Sequence, residues 1–489
     1  MLNKVKRVIK KPLLKILEWT EKTHIPAPVR ATQEMFKKDI RIPVPVIVLF
    51  TSVCLVFMVA FELRLSFKGV LGFVIFITSV MWLSVIYIKK FEKDFGADDE
   101  GIMLTGFLII FITFLSGALK TQNIPVWGVP VSSVAILLTL LISPSIALLA
   151  GLIVSISLSV IFDFSIWAFS VSFLANTISI FAASKVRNRY DLKNVGYYVI
   201  LFMIISAISI GLICDWTIPQ YARNIMFGIG NGIVSVMLVF AALPYLEKFF
   251  SKTTSIRILE LGDFNQPLLK KFMVEASGSY HHALLVASLA ESAAEMVDAN
   301  PLLCRVGAYY HDVGKITAPE YFIENQGTVI SRRNELKLQM SSFIIISHVK
   351  EGVRLAKEYG IDKPIIDIIE QHHGTSLVHY FFLKALEKGL PESEKSLYRY
   401  PGPKPNTKES AIVMLADAVE ATSRTLKDPS FKRLQEMVYK IINNKFTDGQ
   451  LDDVKLTLAD LHKIAEKFTN RLSSIYHARI VYPETPAQG

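Results

Sequence analysis

Histidine is scarce in this chain, but the histidines that it has are concentrated in one segment. Six of the ten lie between positions 281 and 373, and Asp312 lies among them. Imidazole and carboxylate groups bind divalent ions such as Mn, Fe(II), Zn and Mg, and one carboxylate can bridge two ions through its two oxygens. The three cysteines lie far apart, so thiolate ligands are not indicated. The segment therefore predicts a divalent metal centre built from histidine and aspartate.

These residues follow an ordered pattern. A histidine is followed by a His-Asp pair, a single histidine, a His-His pair and a late aspartate. The positions that fill the pattern are His282, His311, Asp312, His348, His372, His373 and Asp417. The pattern resembles the HD phosphohydrolase superfamily in its two-metal form, which implies that these seven residues are the metal ligands. His281 is then expected to stay out of the site, since neighbouring helical residues point about 100° apart.

Further motifs narrow the resemblance to the PgpH-type seven-transmembrane HD proteins of bacteria. They are Leu259-Glu260-Leu261, Asn265-Gln266-Pro267-Leu268-Leu269, Gly278-Ser279-Tyr280-His281-His282, His372-His373-Gly374-Thr375-Ser376, Arg399-Tyr400-Pro401-Gly402-Pro403-Lys404-Pro405, and Ala416-Asp417-Ala418-Val419-Glu420-Ala421 with Ser423-Arg424. The resemblance covers about residues 101–474. It implies a membrane-anchored phosphodiesterase that hydrolyses cyclic di-AMP to linear pApA and so controls the level of a second messenger.

The resemblance also implies a cofactor of two divalent metal ions, Mn or Fe in preference to Mg or Zn. One ion would be held by His282, His311, Asp312 and Asp417, and the other by Asp312, His348, His372 and His373. Asp312 is expected to bridge the ions and is, with Lys315, a predicted catalytic residue. Two such ions can clamp a phosphodiester, activate a water molecule and stabilise the charge of an in-line displacement.

Four residues are predicted to bind the substrate, and each has a plainer alternative. They are Lys315, Tyr400, Lys404 and Arg424. Lys315, one helical turn beyond the His-Asp pair, can neutralise a phosphoryl oxygen, or it can be a solvated lysine. Tyr400 and Lys404 belong to a Pro-Gly-Pro loop that suits an adenine face or a phosphate, or that is purely structural. Arg424 can hold the second phosphate, or it can pair with Glu420 four residues earlier.

The first half of the chain predicts the membrane anchor that carries this site. The chain is 51% apolar, and long uncharged runs fill residues 43–249, which is unusual for a soluble enzyme. A span needs roughly 20 apolar residues. Eight segments qualify: 44–61, 69–88, 101–119, 126–142, 145–162, 166–183, 195–214 and 225–249. Charges are nearly absent within them, which argues against a transporter, and Asn176 and Asn231 are expected to be interhelical hydrogen bonders.

Basic residues predict the orientation of these spans. The tail before residue 43 holds eleven Lys or Arg against four Asp or Glu, and residues 5–19 suit either a helix on an anionic membrane surface or a solvated tail. With the tail inside, the inner loops hold Lys89, Lys90, Lys93, Lys185, Arg187, Arg189 and Lys193, and the outer loops hold Arg64, Lys68, Lys120 and Arg223. Lys and Arg accumulate on the cytoplasmic side. We therefore expect a multi-pass protein of a bacterial plasma membrane, with its N-terminus and HD domain in the cytoplasm.

The second half of the chain shows helix-like apolar spacing throughout. The predicted helices are 268–275, 280–297, 301–310, 336–359, 363–372, 376–386, 409–426, 431–444 and 458–474. The predicted fold class is all-α, a polytopic transmembrane helical bundle followed by an all-helical cytoplasmic HD domain. The expected domains are a basic tail over 1–42, a transmembrane domain over 43–249, a linker with a first helix over 250–278, and the HD domain over 279–489. Typical members of the family carry a large external domain after the first helix, whereas only residues 62–68 separate the first two spans here.

Other functions are less well supported by the residues. A cyclic di-GMP phosphodiesterase of the HD-GYP kind would show a Gly-Tyr-Pro motif soon after its histidine pair, whereas His373 is followed by Gly-Thr-Ser-Leu-Val-His-Tyr. A catalytically silent nucleotide-binding receptor would lack a ligand, and all seven positions are filled. Nucleic acid is not an expected partner, because the excess positive charge lies mainly in the tail and inner loops. The expected partners are a cyclic dinucleotide and the lipid bilayer, with a homodimer or a membrane partner left open.

Overall fold

The computed structural model describes residues 44–63, 66–326 and 338–477, and these residues form helices joined by loops. The basic tail, with its predicted surface helix over residues 5–19, lies outside the described residues. The described part holds no β-strand and one isolated β-bridge, between Leu377 and Arg399. The predicted all-α fold is therefore confirmed.

Apolar helices make up the described membrane half. They are α1 (Val44–Leu63), α2 (Phe67–Phe91), the short α3 (Lys93–Gly96), α4 (Asp99–Thr121), α5 (Ser132–Leu141), α6 (Pro144–Ile161), α7 (Ile166–Ala183), α8 (Leu192–Ile213) and α9 (Ile218–Phe249). Within the described residues, α2, α4 and α6 to α9 are long and apolar enough to cross a bilayer. Shorter apolar stretches, Val46–Val59 and Val126–Leu141, occupy the other two predicted spans. The chain is a multi-pass membrane protein.

The fourth predicted span is not one continuous helix. A 3₁₀ turn, Val126–Gly128, precedes Pro130, and α5 begins only after it, because proline lacks the N–H that a helix interior needs. The ten residues of α5 rise about 15 Å, roughly half of a bilayer core. The Asn231 amide donates to the carbonyl oxygens of Trp127 (3.0 Å) and Val129 (2.6 Å). The non-helical backbone is thus hydrogen-bonded by α9, and the predicted interhelical role of Asn231 is confirmed.

Helix α6 begins at a capped proline and packs closely on α7. The Ser143 side chain accepts a hydrogen bond from the Ile146 N–H, and Pro144 occupies the first turn, a favourable start for a helix. The predicted break between the fourth and fifth spans is therefore present. On α7, Asn176 donates to the carbonyl oxygen of Gly151 at 3.3 Å, which confirms its predicted interhelical hydrogen bond.

The chain forms two compact units. One runs to Ile110 without residues 61–64, and the other contains those four residues and the chain from Phe111 onward. The second unit therefore contains the membrane helices that follow Phe111 as well as the soluble half. Within it, Arg189, just before α8, donates two hydrogen bonds of 2.5 and 3.2 Å to the carboxylate of Glu260. A bidentate ion pair thus joins the membrane helices of this unit to the first helix of its soluble half.

The soluble half is a cluster of helices around a shared apolar core. They are α10 (Ser255–Leu261), α11 (Pro267–Glu275), α12 (Ser277–Ala294), α13 (Pro301–Tyr310), α14 (Leu338–Glu358), α15 (Lys363–Gln371), α16 (His379–Glu387), α17 (Lys408–Ser423), α18 (Phe431–Thr447) and α19 (Leu458–His477). The ends of the nine predicted helices lie within three residues of those observed. Helix α17 is the most enclosed, with eleven of its sixteen residues buried. It packs with α12, α13, α18 and α19 in one core cluster, which fixes the helices that carry the site.

Candidate metal centre

The soluble half brings the seven predicted ligands to one place. His282 lies on α12, His348 on α14 and Asp417 on α17, and the others follow the last turns of α13 and α15 as His311, Asp312, His372 and His373. All are buried except His373, which is partly buried. His281 is exposed and lies outside the cluster, as predicted.

The candidate ligand atoms form two groups with Asp312 between them. Sets that lie within 4.8 Å of one another are His282, His311 and Asp417; His348, His372 and His373; and His311, Asp312 and His372. Asp312 Oδ2 is 3.2 Å from His311 Nε2, whereas Oδ1 is 3.3 Å from His348 Nε2. Each carboxylate oxygen therefore faces a different group, which is the arrangement that a bridging carboxylate needs.

Three of the histidines are held by their own helices. In His311, His348 and His372, Nδ1 hydrogen-bonds the carbonyl oxygen three residues earlier. Since a carbonyl only accepts, Nδ1 carries a proton, and in the neutral ring Nε2 keeps its lone pair. Local hydrogen bonding thus selects the tautomer that can bind a metal through Nε2.

Buried polar atoms that lack hydrogen-bond partners indicate whether a metal ion fits this donor set. Within the described residues, His311 Nε2 and both carboxylate oxygens of Asp312 are buried and make no hydrogen bond of good geometry, although Lys315 Nζ is 2.7 Å from Oδ2. Buried polar atoms are normally satisfied. Unsatisfied lone pairs of imidazole and carboxylate that face one space fit divalent metal ions.

Neighbouring charges keep the carboxylates ionised. Burial would raise the pKa of Asp312, but His311 and Lys315 lower it well below its usual range. Burial opposes ionisation of Asp417 too, and a hydrogen bond from His282 outweighs it and lowers the pKa. Burial, aided by His311, lowers the pKa of His372 to about 3. At neutral pH these groups are carboxylate anions and a neutral imidazole, the forms that bind metal.

Glu420 belongs to the site, although the sequence suggested it only as a partner of Arg424. Its Oε2 is hydrogen-bonded to His282 Nδ1, and its Oε1 accepts from Arg424 Nε at 2.7 Å. Although burial opposes it, hydrogen bonds with Asp417 and Glu420 raise the pKa of His282 to about 9. The ring is held with Nε2 toward Asp417 at 3.0 Å. The signal available in the sequence was the three-residue spacing of Asp417 and Glu420, which places both on one helix face.

Lys315 lies inside the site and is not a solvated lysine. Its Nζ is 2.7 Å from Asp312 Oδ2 and 2.7 Å from Glu324 Oε1, and its side chain is only 12% exposed. Nζ also lies 4.9 Å from the centre of the Phe322 ring. Burial would lower the pKa of Lys315, but the two carboxylates raise it. The site therefore contains a permanent cation next to the central aspartate.

The other predicted substrate residues lie at different distances from the ligands. The Tyr400 ring stacks on His373, with ring centroids 4.2 Å apart and planes inclined by 26°. Lys404 pairs with Asp452 at 3.2 Å, and Arg424 pairs with the glutamate of α17 described above. Tyr400 thus borders the ligand cluster, whereas Lys404 and Arg424 have ion-pair partners of their own, and their contacts with substrate stay predictions.

This set of histidines and aspartates converges within one helical domain. Such an arrangement is characteristic of HD-type hydrolases. The HD domain family matches residues 279–422. The family described as "7TM receptor with intracellular HD hydrolase" matches residues 67–254, which include α2 and α4 to α9. The membrane half is thus similar to the membrane part of seven-transmembrane HD proteins, and the soluble half is similar to HD domains.

Named relatives share most of this chain. The cyclic-di-AMP phosphodiesterase PgpH of Bacillus subtilis (strain 168) is 36% identical over 431 residues, which are 86% of this chain and 60% of the relative. PgpH of Listeria monocytogenes (strain 10403S) is 33% identical, with the same coverage of each chain. The chain thus spans about 60% of the length of these relatives. A crystal structure of the L. monocytogenes PgpH HD domain in complex with cyclic di-AMP is 43% identical and covers 44% of this chain and all of its own, with a TM-score of 0.43.

Proposed function

We propose that this chain is a metal-dependent phosphodiesterase that hydrolyses cyclic di-AMP to linear pApA. The observation that carries the proposal is the meeting of two candidate ligand groups at Asp312, whose oxygens face one group each. Relatives that are named cyclic-di-AMP phosphodiesterases support the choice of substrate. The preference for adenine over guanine rests on those relatives.

The proposed cofactor is a pair of divalent ions, Mn or Fe in preference to Mg or Zn. The ligands would be His282, His311, Asp312 and Asp417 for one ion, and Asp312, His348, His372 and His373 for the other. When bound, such ions supply an activated water molecule and compensate the charge of the phosphoryl group. The chain's own contribution is three imidazoles, those of His311, His348 and His372, whose Nδ1 is hydrogen-bonded so that Nε2 can bind, and a central carboxylate that stays ionised.

The reaction adds one water molecule across one phosphodiester. The bond between phosphorus and the 3′ oxygen breaks, that oxygen gains a proton, and the linear product carries a terminal 5′-phosphate. Lys315 holds its charge beside Asp312, where it offers an ammonium group to a phosphoryl oxygen. Tyr400 stacks on His373 at the edge of the ligand cluster, and its ring, which is 8% exposed, is the proposed contact for a nucleobase.

We also propose that the protein lies in the plasma membrane of a bacterium with both its N-terminus and its HD domain in the cytoplasm. The excess of Lys and Arg in the tail and inner loops supports this orientation. The proposed domains are the tail 1–42, the transmembrane domain 43–249, the linker and first helix 250–278, and the HD domain 279–489.

The test of the proposed function is a substrate comparison on the full chain. The protein is purified in detergent without oxygen, loaded with Mn(II) or Fe(II), and given cyclic di-AMP or cyclic di-GMP, with the products separated by chromatography. We expect conversion of cyclic di-AMP to pApA that stops when the metal is chelated. Preferred conversion of cyclic di-GMP would correct the base assignment. Tight binding without turnover would favour a nucleotide-binding receptor.

Replacing Glu420 by alanine is expected to weaken metal binding about 10- to 100-fold, because an outer partner that orients a histidine ligand has an effect of this size. Mn(II) binding, followed by titration calorimetry, measures the change. The control is Glu436→Ala on the exposed face of α18, which removes the same charge far from a ligand. Equal affinities for the two variants would show that the hydrogen bond from His282 to Glu420 does not support the metal.

A further inference from the structure

A pocket lies where the end of α7 meets the start of α8. Its volume is about 390 Å³, which is within the range of small-ligand sites. The loop between the two helices carries Arg189, whose ion pair with Glu260 joins this loop to α10. The pocket therefore lies at the end of the membrane helices that faces the soluble half. Its lining includes Phe181, Lys185, Asp191, Asn194, Tyr197 and Tyr198.

Three of the lining side chains are aromatic and more than half exposed, those of Phe181, Tyr197 and Tyr198. Exposed tyrosine rings are typical of the level at which a membrane protein meets the lipid head groups. An exposed apolar stripe continues from Tyr197 along α8 with helical spacing, and it consists of Leu201, Ile205, Ile208 and Leu212. An acyl chain that lies along this stripe would bring its own head group to the pocket.

The polar part of the pocket presents a lysine. Lys185 Nζ lies 4.3 Å from the centre of the Phe181 ring, and Lys185 pairs with no carboxylate in the part of the chain that the structure describes. Asp191 is the carboxylate among the lining residues. Its Oδ2 accepts hydrogen bonds from the backbone N–H groups of Arg187 and Asn188, at 3.0 and 3.1 Å. Asp191 is thus bonded to its own loop, and the ammonium group of Lys185 is left to contact a ligand.

Other groups around the pocket complement an anion. Asn194 is exposed and its side chain makes no hydrogen bond to the other described residues, so its amide can donate to a ligand. Arg187 in the loop and Lys193 in the first turn of α8 add two positive charges. With Lys185 they outnumber the single charge of Asp191, so the surroundings of the pocket are cationic. The complementary ligand has an anionic head and an apolar tail.

We propose that this pocket binds the head group of an anionic phospholipid, with Lys185 on its phosphate and an acyl chain along the exposed face of α8. A free phosphate ester shares the charge but would gain nothing from that apolar face. The inference rests on the membrane helices and not on the proposed function, so either can fail without the other. It places a lipid contact on the loop that also holds the ion pair to the soluble half.

Native mass spectrometry of the full chain in detergent tests the proposal, because it counts bound lipids directly. Dioleoyl-phosphatidylglycerol, which is anionic, and dioleoyl-phosphatidylcholine, which has the same chains but no net charge, are titrated separately. We expect the wild type to bind phosphatidylglycerol more tightly. Lys185→Met is expected to weaken that binding about 5- to 20-fold, the effect of one cation on a lipid phosphate. Its binding of phosphatidylcholine should be unchanged, which also shows that the variant folds.

Two further variants separate the pocket from the general charge of the membrane surface. Lys185→Arg keeps the cation and should bind phosphatidylglycerol nearly as well as the wild type. Lys89→Met is the matched control, because it removes one exposed lysine from the last turn of α2, and it should bind as the wild type does.

Four results would overturn the inference. Equal weakening by Lys185→Met and Lys89→Met would assign the binding to surface charge in general. Equal affinity of the wild type for both lipids would show that the head-group charge is not recognised. Displacement of phosphatidylglycerol by an equal concentration of glycerol 1-phosphate would assign the pocket to a free phosphate ester. A dimer that carries no phospholipid would assign the exposed face of α8 to a second copy of the chain.

Discussion

Replacing Asp312 by alanine is expected to lower kcat for cyclic di-AMP by at least about a thousandfold and to reduce the bound metal. The carboxylate lies between the two candidate ligand groups, so its loss removes a ligand from both. Metal-ion catalysis supplies several kcal/mol of transition-state stabilisation, and about 1.4 kcal/mol corresponds to a factor of ten in rate. Turnover of cyclic di-AMP and metal content per chain, by elemental analysis, measure the two effects.

A second variant separates charge from shape at this position, and a third serves as a control elsewhere. Asp312→Asn keeps the volume of the side chain but loses the negative charge, and we expect it to be nearly as inactive as the alanine variant. Asp428→Ala removes a carboxylate whose side chain is 72% exposed and pairs with Arg433, and it should keep full activity. Wild-type metal content in both Asp312 variants would contradict the bridging role.

Replacing Lys315 by methionine is expected to lower kcat about 10²- to 10³-fold while metal content stays close to that of the wild type. Removal of one positioned donor from a developing anion has a cost of this order. The lysine contacts Asp312 but contributes no lone pair to a metal, so the ligand set stays complete. Steady-state kinetics with cyclic di-AMP and elemental analysis of the same samples check both parts.

A structural role for Lys315 would give a different result. If the lysine only neutralises Asp312 and Glu324, the methionine variant should lose stability and metal together, and its thermal unfolding temperature should fall. Lys315→Arg keeps the charge and is expected to recover part of kcat. The control is Lys357→Met on the exposed face of α14, with unchanged kinetics.

The ligand set could be predicted from the sequence because metal binding restricts which residue types can occupy each position. Histidine and aspartate in a fixed order are rare by chance, and the helices that carry them show clear apolar periodicity. The hydrogen bond between Glu420 and His282 was not readable in this way. A glutamate four residues before an arginine predicts a local ion pair, and its second contact depends on how α12 packs on α17. Arg189 and Glu260 are likewise 71 residues apart in sequence, so only the folded chain reveals their contact.

The membrane half shows a similar limit. Apolar composition predicted which segments of the chain enter the bilayer, and the predicted break between the fourth and fifth spans is present where α6 begins at Pro144. Composition could not show that the fourth predicted span contains a turn before α5, because the carbonyl groups freed by that turn are satisfied from α9. That compensation comes from Asn231, about a hundred residues later in the chain.

The hydrogen bonds that hold three histidines to their own helical turns also affect how fast the site can take up metal ions. His311, His348 and His372 have their ring orientation and tautomer set once the helices form, whether or not an ion is present. The entropic cost of ordering these rings is met during folding and is not repeated when a metal arrives. Ion entry then requires no ring flip at these three positions. The loading rate would be limited by diffusion into the buried site and by the release of water from the ion.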